Sequence, residues 1–144
     1  MAKDFFNQEE LTAIKEAVAG AEMQTSGEIR LHLENHCKEE VLDRAAYLFE
    51  QLEMHKTQLR NGVLFYLAIK DHQFAILGDV GINQNVPEGF WDEIRNQMRE
   101  LFKQEKHKEA LIHGILESGK QLKAFFPLEA DDQNELSDEI SFGQ

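Results

Sequence analysis

The sequence predicts an α/β fold, a three-layer α/β/α sandwich around a small mixed β-sheet of three to four strands. Amphipathic helical segments alternate along the chain with short β-rich runs. The run at residues 63–69 is apolar throughout, which is typical of a central strand covered on both faces. With 144 residues, the chain is long enough for one domain with one core.

The first predicted helix covers residues 7–24. Asn7 can cap it, and Glu10 stands three residues later as in a capping box. The apolar positions then recur at helical spacing on one face, namely Leu11, Ile14, Val18 and Ala21. Residues 25–27 end the pattern.

A strand is predicted at residues 28–33 because apolar and polar residues alternate there. One face carries Ile29, Leu31 and Leu33, and the other carries Glu28, Arg30 and His32. A second helix is predicted at 39–53, followed by a hairpin of two strands at 63–69 and 73–77.

Two more helices complete the predicted domain, which spans residues 1–127. Pro87 suits the first turn of the third helix, and the fourth runs from a polar break at 104–107 towards Pro127. Residues 128–144 carry six acids and no Lys or Arg, so they are expected to form a flexible acidic tail. A docked strip of Leu136, Ile140 and Phe142 is the alternative for this tail.

The composition excludes some classes of partner. The formal net charge is −12, which repels phosphate backbones, so no nucleic-acid partner is expected. The longest apolar run is far shorter than the roughly 20 residues of a membrane span, and no signal peptide is recognisable. A cytoplasmic protein without a transmembrane segment is therefore expected. A basic protein surface remains a possible partner.

The predicted topology brings three polar segments to one end of the sheet. A strand–helix–strand unit makes the first two strands parallel, and the hairpin returns antiparallel. Residues 25–28, 60–62 and 78–83 should therefore meet. Glu28, Asp79 and Asn83 would supply oxygen atoms there, and hard cations such as Ca²⁺ and Mg²⁺ prefer oxygen ligands.

At these positions the chain resembles the TPM domain family, named for thylakoid phosphatase, photosystem and receptor-modulator members. The matching stretches are "TSGEIRLHLE", "RNGVLFYLAIKDHQFAILGDVGIN", "VPEGFW", "LFKQEKHKEALIHGI" and "FFP". They occur in the family's order and spacing, and the arrangement is most similar to short bacterial members that carry the domain alone.

The resemblance implies an α/β/α sandwich, a divalent-cation site in some members and acid phosphatase activity in a plant member. Many relatives have Gly-Tyr-Gly-Leu-Glu followed by Leu-Pro-Asp. In this chain Asn83 stands near the family's Glu, and Glu88 stands at its Asp. Both retain an oxygen ligand, but Asn83 lowers the negative charge of the site. The topology and the resemblance together predict Asp79, Asn83, Glu88 and Glu28 as metal ligands for Ca²⁺ or Mg²⁺.

These residues also have ordinary structural interpretations. Asp79 and Asn83 suit turns and caps, Glu88 suits the first turn of a helix, and Glu28 can pair with Arg60 or Arg30. Zinc ligation is not expected, because no second ligand pair accompanies the candidates His32, His36 and Cys37. All three are predicted to be surface residues.

Three functional hypotheses follow. The first is a TPM-like domain that binds a divalent cation and acts as an interaction module. The second is a metal-assisted acid phosphatase, in which Glu28 orients water and Arg60 holds the phosphate. The third is a protein–protein assembly factor that needs no metal. No catalytic residue is identified by the sequence.

Overall fold

A computed structural model of the protein describes residues 2–128 and 140–143. A short 3-10 turn at Ala2–Asp4 precedes the first helix. The helices are α1 (Gln8–Glu22), α2 (Val41–Gln51), α3 (Val80–Asn85), α4 (Asp92–Lys103) and α5 (His107–Leu122). The strands are β1 (Glu28–Glu34), β2 (Gly62–Ala68), β3 (Gln73–Gly78) and β4 (Ser141–Phe142).

The four strands form one mixed sheet in the order β3-β2-β1-β4. β1 pairs in parallel with both β2 and β4, whereas β2 and β3 form the antiparallel hairpin. In the register, Glu28 lies opposite Gly62, and Val63 lies opposite Gly78. The predicted mixed sheet of three to four strands is therefore confirmed.

Helices cover both faces of the sheet. On one face, apolar residues of α1, α4 and α5 form a core with Ile29, Leu31 and Phe65. On the other face, Ala45, Leu48 and Phe49 of α2 pack against Leu64 and Tyr66 and form the smaller core. All seven residues of β2 are buried, as expected for a central strand between two helical layers. The predicted α/β/α sandwich is confirmed.

The helix starts follow from capping. Asn7 and Glu10 form the predicted capping box of α1, with the Glu10 amide donating to Asn7 Oδ1 over 2.8 Å. α2 begins at Val41 because the Glu40 side chain accepts from the amides of Leu42 and Asp43. Within the described residues, no helix is both long and apolar enough to cross a membrane.

The segment between β3 and α4 differs from the prediction. Residues 80–85, expected to be loop, form the short helix α3, which Asp79 caps. The next helix begins at Asp92 rather than near Pro87. The delay has a local cause, since Gly89 adopts a left-handed conformation with φ of 79°, which interrupts a right-handed helix.

The end of the acidic segment also differs from the expectation. Ser141–Phe142 forms β4 beside β1, and the Gly143 amide donates to the Leu33 carbonyl over 2.6 Å. Ile140 is only 7% exposed and belongs to the larger core. Backbone pairing and apolar burial together hold residues 140–143 against the sheet. The expected flexibility of residues 129–139 lies outside the described residues.

Candidate functional site

Three loops meet at one end of the sheet, as the predicted topology requires. The Glu28 amide donates to the Asn61 carbonyl over 3.2 Å, and the Asp79 amide donates to the Gly62 carbonyl over 2.9 Å. The Gly81 amide donates to the Arg60 carbonyl over 2.9 Å. These bonds tie the starts of β1 and β2 to the exit of β3.

Gly81 explains why this junction contains glycine. A Cβ atom at position 81 would overlap the backbone carbonyl oxygens of Leu59 and Arg60. Because those atoms belong to the backbone, they cannot move aside by a change of rotamer. The absent side chain at Gly81 therefore allows α3 to pack directly on the loop before β2.

Asp79 is held by hydrogen bonds at this junction. Its side chain is buried, and the two carboxylate oxygens accept from Arg60 Nε and Nη2 over 2.7 and 2.9 Å. Its Oδ1 also accepts from the Val80 amide over 2.7 Å, which caps α3. The hydrogen bond to Asp79 raises the pKa of the Arg60 guanidinium. This bidentate pair fastens α3 to the loop before β2.

Asn83 and Glu88 line a shared depression of about 360 Å³ beyond α3. Asn83 Nδ2 donates to the Gly78 carbonyl over 3.2 Å, which orients the amide. Asp92 lines the same depression, and its Oδ1 accepts from Arg95 Nη2 over 2.6 Å. The depression thus contains two carboxylates, one amide and the Arg95 guanidinium, which partly neutralises Asp92. Asp92 was not among the ligands predicted from the sequence.

Glu28 and Asn61 lie inside the junction. Both are buried, Glu28 at the start of β1 and Asn61 just before β2. The Asn61 Nδ2 atom donates to Ser26 Oγ over 3.4 Å, whereas its Oδ1 has no hydrogen-bond partner among the described residues. Neither Glu28 nor Asn61 lines the depression that contains Asn83 and Glu88.

The structure therefore distributes the four predicted ligands over three places. Asn83 and Glu88 share one depression, Asp79 lines another together with Arg60, and Glu28 is buried in the junction. Across residues 2–128 and 140–143, no group of three or more His, Cys, Asp and Glu residues is placed to hold a metal ion. A cation in the depression would consequently also need amide, carbonyl or water oxygens.

A second polar cluster lies inside the sandwich, away from the loops. The buried Glu34 carboxylate accepts from Arg44 Nε over 3.0 Å, from Arg44 Nη2 over 2.5 Å and from the Tyr66 hydroxyl over 2.6 Å. His32 Nε2 lies 3.2 Å from Glu34 Oε1, and His32 Nδ1 lies 2.7 Å from Ser141 Oγ. The cluster joins β1, α2, β2 and β4, and we call these five residues the Glu34 cluster.

Burial and hydrogen bonding shift the pKa values within the Glu34 cluster. Burial would raise the pKa of Glu34, but the hydrogen bonds from Arg44, Tyr66 and His32 outweigh it and lower this pKa. Burial lowers the pKa of His32, against the opposing effect of Glu34. Burial and the bond to Glu34 raise the pKa of the Tyr66 hydroxyl. A charged Glu34 beside a neutral His32 fits these directions.

The surface location predicted for His32 is wrong. Its exposure is 5%, whereas the side chain of His36 is 55% exposed and Cys37 is half-buried. Alternation in β1 indicated one polar face, which normally faces water. Here that face is covered, and the side chains of Glu34 and Ser141 provide His32 with partners. The tyrosine within the otherwise aliphatic and aromatic β2 run was the available sequence signal of a buried polar group.

The Glu34 cluster predicts how stability depends on pH. The pKa of Glu34 is lowered from 4.5, so its contribution is present above pH 4.5 and is lost as the pH falls through the folded-state pKa. The pKa of His32 is lowered from 6.5, so its contribution is present above pH 6.5 and is lost below it. The free energy of unfolding should therefore fall as the pH decreases from 7 to 4. Urea denaturation at several pH values measures this dependence.

His32→Gln is the informative variant for that measurement. It should flatten the dependence between pH 6.5 and 5 relative to wild type, whereas His72→Gln, at an exposed hairpin residue, should not. Identical pH profiles for wild type and His32→Gln would show that His32 does not cause the loss of stability below pH 6.5.

The fold and the loop junction together define a small α/β/α sandwich domain with a polar edge formed by the loops before β1, before β2 and after β3. The chain belongs to the TPM domain family, whose model matches residues 2–121. This confirms the resemblance noted in the sequence.

Two solved structures are similar to the chain. One is the NMR structure of the BA42 protein from the psychrophilic bacterium Bizionia argentinensis, with 45% identity, 98% of this chain and 97% of that chain covered, and a TM-score of 0.93. The other is the N-terminal domain of a P. gingivalis protein, with 17% identity, coverage of 85% and 80%, and a TM-score of 0.70, which supports the fold alone. No curated protein matches the chain.

Proposed function

We propose that this TPM domain binds a divalent cation, Ca²⁺ or Mg²⁺, in the depression lined by Asn83, Glu88 and Asp92, and that it acts as an interaction module. The observation that supports the proposal is the placement of two predicted ligands, Asn83 and Glu88, in the same depression. Asp92 adds a second carboxylate beside them, with its Oδ1 shared with Arg95 of the same lining. Hard cations favour such a set of oxygen ligands together with water.

The residues present fit a weakly held, partly hydrated ion. Asn83 uses its amide nitrogen on the Gly78 carbonyl, which leaves its Oδ1 for a cation. Glu88 and Asp92 are both exposed, so the ion would retain several waters. With only two carboxylates, an affinity of the order of 10⁻⁴ to 10⁻³ M is expected, as in weak extracellular calcium modules.

Asp79 has a positioning role in this proposal rather than a ligand role. Its carboxylate caps α3 and binds Arg60, and α3 carries Asn83 near its end. Removing the carboxylate would therefore loosen the helix that presents Asn83. Glu28 is buried in the junction and is assigned no contact with the ion.

An interaction role is supported by exposed apolar residues at the loop junction. Leu59 and Val80 are both exposed apolar residues. Val80 precedes Gly81 in the chain, and Leu59 belongs to the loop against which Gly81 packs. The formal net charge of −12 favours a basic partner, and a bound cation would lower the local repulsion of an acidic one. A partner that binds equally well with and without cation would instead support the metal-independent assembly hypothesis.

The phosphatase hypothesis has no comparable support. Arg60, its expected phosphate-binding group, already makes a bidentate pair with Asp79. Turnover of a generic phosphomonoester that needed both Glu88 and Arg60 would revive this hypothesis.

Titration with Ca²⁺ and with Mg²⁺, followed by backbone amide NMR, tests cation binding. The signals of residues 83–92 should shift more than those of residues 70–73 in the distant hairpin turn. Glu88→Gln and Asp92→Asn should each weaken binding about tenfold, because each removes one of two carboxylates. The control Glu16→Gln removes an exposed acid on α1 and should bind as wild type does.

Asp79→Asn distinguishes positioning from ligation in the same titration. If Asp79 only positions α3, this variant should show a lower melting temperature and weaker binding, whereas Glu88→Gln should weaken binding with little change in melting temperature. Unchanged spectra up to about 10 mM cation, well above the expected affinity range, would overturn the proposal. Equal shifts in wild type and Glu88→Gln would overturn it as well.

A further inference from the structure

A pocket of about 420 Å³ lies at the opposite end of the sheet from the loop junction. It is bordered by the end of β2, the start of β3 and the last turns of α4. Its volume falls in the usual range for small-molecule sites, roughly 300–1,000 Å³. The lining residues used below are Leu67, Phe74, Arg99, Phe102, Lys103 and His107.

The inner part of the pocket is apolar and aromatic. The rings of Phe74 and Phe102 lie 5.0 Å apart, and the ring of His107 lies 5.8 Å from that of Phe102. Leu67 and the half-buried Ile69 contribute aliphatic surface from β2 and the residue after it. These side chains offer a molecule with an apolar body a surface to bury.

The charged part of the pocket is basic. Arg99 and Lys103 stand one helical turn apart on α4 and line it together, and none of the described lining residues is a carboxylate. The Arg99 Cζ atom lies 6.0 Å from the centre of the Phe74 ring, so its charge is adjacent to the aromatic surface. The pocket lining is therefore basic in a chain that is acidic overall, with 27 acids and 15 bases.

The two cations are available to a ligand. Arg99 Nη1 donates to Asn96 Oδ1 over 2.9 Å, and among the described residues it makes no ion pair. Lys103 Nζ lies 3.9 Å from Glu100 Oε1, but both side chains are 67% exposed, so solvent makes that pair weak. A ligand anion that reached Arg99 would therefore not have to displace a strong intramolecular partner.

We propose that this pocket binds a small organic anion with an apolar body, namely a medium-chain or aryl carboxylate. The carboxylate contacts Arg99 and Lys103, and the apolar body lies against Phe74, Phe102 and Leu67. Arg99 suits this role because a guanidinium binds a carboxylate through two parallel hydrogen bonds. The site is separate from the cation site proposed above and does not depend on it.

Binding can be measured by NMR and calorimetry with three probes in buffer without divalent cations. The probes are decanoate, 2-naphthoate and inorganic phosphate, and decanol serves as the neutral analogue of decanoate. At least one of the two carboxylates should bind and shift the amide signals of residues 72–74 and 99–107, and the preferred one identifies an aliphatic or an aryl body. Phosphate should bind more weakly than the preferred carboxylate, because it cannot use the aromatic surface.

The double variant Arg99→Gln, Lys103→Gln tests the charged part of the site. Carboxylate binding should weaken at least tenfold, because two charge-assisted contacts are lost. The matched control Lys120→Gln removes an exposed cation from α5, outside the pocket lining, and should bind as wild type does. The melting temperature of the double variant should stay close to that of wild type, since both altered side chains lie at the rim.

Four outcomes would overturn the proposal. One is the absence of binding by both carboxylates at millimolar concentration. Another is equal affinity for decanoate and decanol, which would mean that charge has no role. The third is undiminished carboxylate binding by the double variant. The fourth is a set of amide shifts centred on residues 83–92 instead of the pocket.

Discussion

Replacing Glu34 with alanine is expected to lower the free energy of unfolding by about 3 kcal/mol. The change leaves the Arg44 guanidinium, the Tyr66 hydroxyl and His32 Nε2 without their shared acceptor. Removing one partner of a buried ion pair costs about 3–5 kcal/mol. The lower end applies because the Arg44 side chain is 28% exposed and can recover hydration.

Urea denaturation of Glu34→Ala at pH 7 measures this loss, and the melting temperature should fall by roughly 6–12 °C for a chain of this size. Tyr66→Phe removes a single hydrogen bond to the carboxylate and should cost about 1.5–3 kcal/mol. Glu16→Gln is the exposed control and should remain within about 0.5 kcal/mol of wild type. A Glu34→Ala variant as stable as this control would show that the Glu34 cluster contributes nothing to folding.

Replacing Ile140 with alanine is expected to cost about 2–4 kcal/mol, in the range measured for large-to-small core substitutions. Ile140 is buried in the larger core, so the truncation would leave a cavity beside the sheet. A chain that ends at residue 139 should lose at least as much, because it also lacks the β4 backbone bonds and the contact of Ser141 with His32.

Phe142→Ala is the matched control for Ile140→Ala. Phe142 occupies the same strand but is partly exposed, so its replacement should cost clearly less than that of Ile140. Chemical denaturation of Ile140→Ala, Phe142→Ala and the chain that ends at residue 139 measures the loss of unfolding free energy in each. If Ile140→Ala and Phe142→Ala were both as stable as wild type, β4 would not pack against β1 in solution.

The expectation of a flexible tail underestimated two contributions at residues 140–143. Ordering each residue costs about 1–2 kcal/mol of backbone entropy, which the burial of a few apolar side chains does not offset alone. The structure adds a backbone bond from Gly143 to Leu33 and a side-chain contact between Ser141 and His32. Neither partner could be recognised beforehand, because more than 100 residues separate them along the chain.

The candidate site was predictable only in outline. The convergence of Glu28, Arg60 and Asp79 followed from strand direction, and the backbone bonds confirm it. Strand direction did not predict which carboxylate would face solvent. Asp79 could equally cap a helix, pair with Arg60 or bind a cation. Asp92 was missed since its place beside Glu88 depends on the left-handed turn at Gly89.

The sequence by itself determined the features that depend on neighbouring residues. The Asn7–Glu10 capping box, the periodicity of α1 and the uniformly apolar β2 follow from contacts within a few positions, and they were enough to predict the sandwich. The resemblance of the chain to the TPM domain family likewise rested on motifs that occur in a fixed order along the sequence. The family match over residues 2–121 confirmed this resemblance.

Only the tertiary structure decided how distant polar groups pair. His32 and Glu34 lie on β1 and Tyr66 lies on β2, and folding brings them together with Arg44 of α2 inside the protein. The same holds for β4, which becomes a strand only when β1 offers it an edge. A polar side chain has no preference for the interior by itself; it is buried where folding supplies its hydrogen-bond partners, and those partners come from far along the chain.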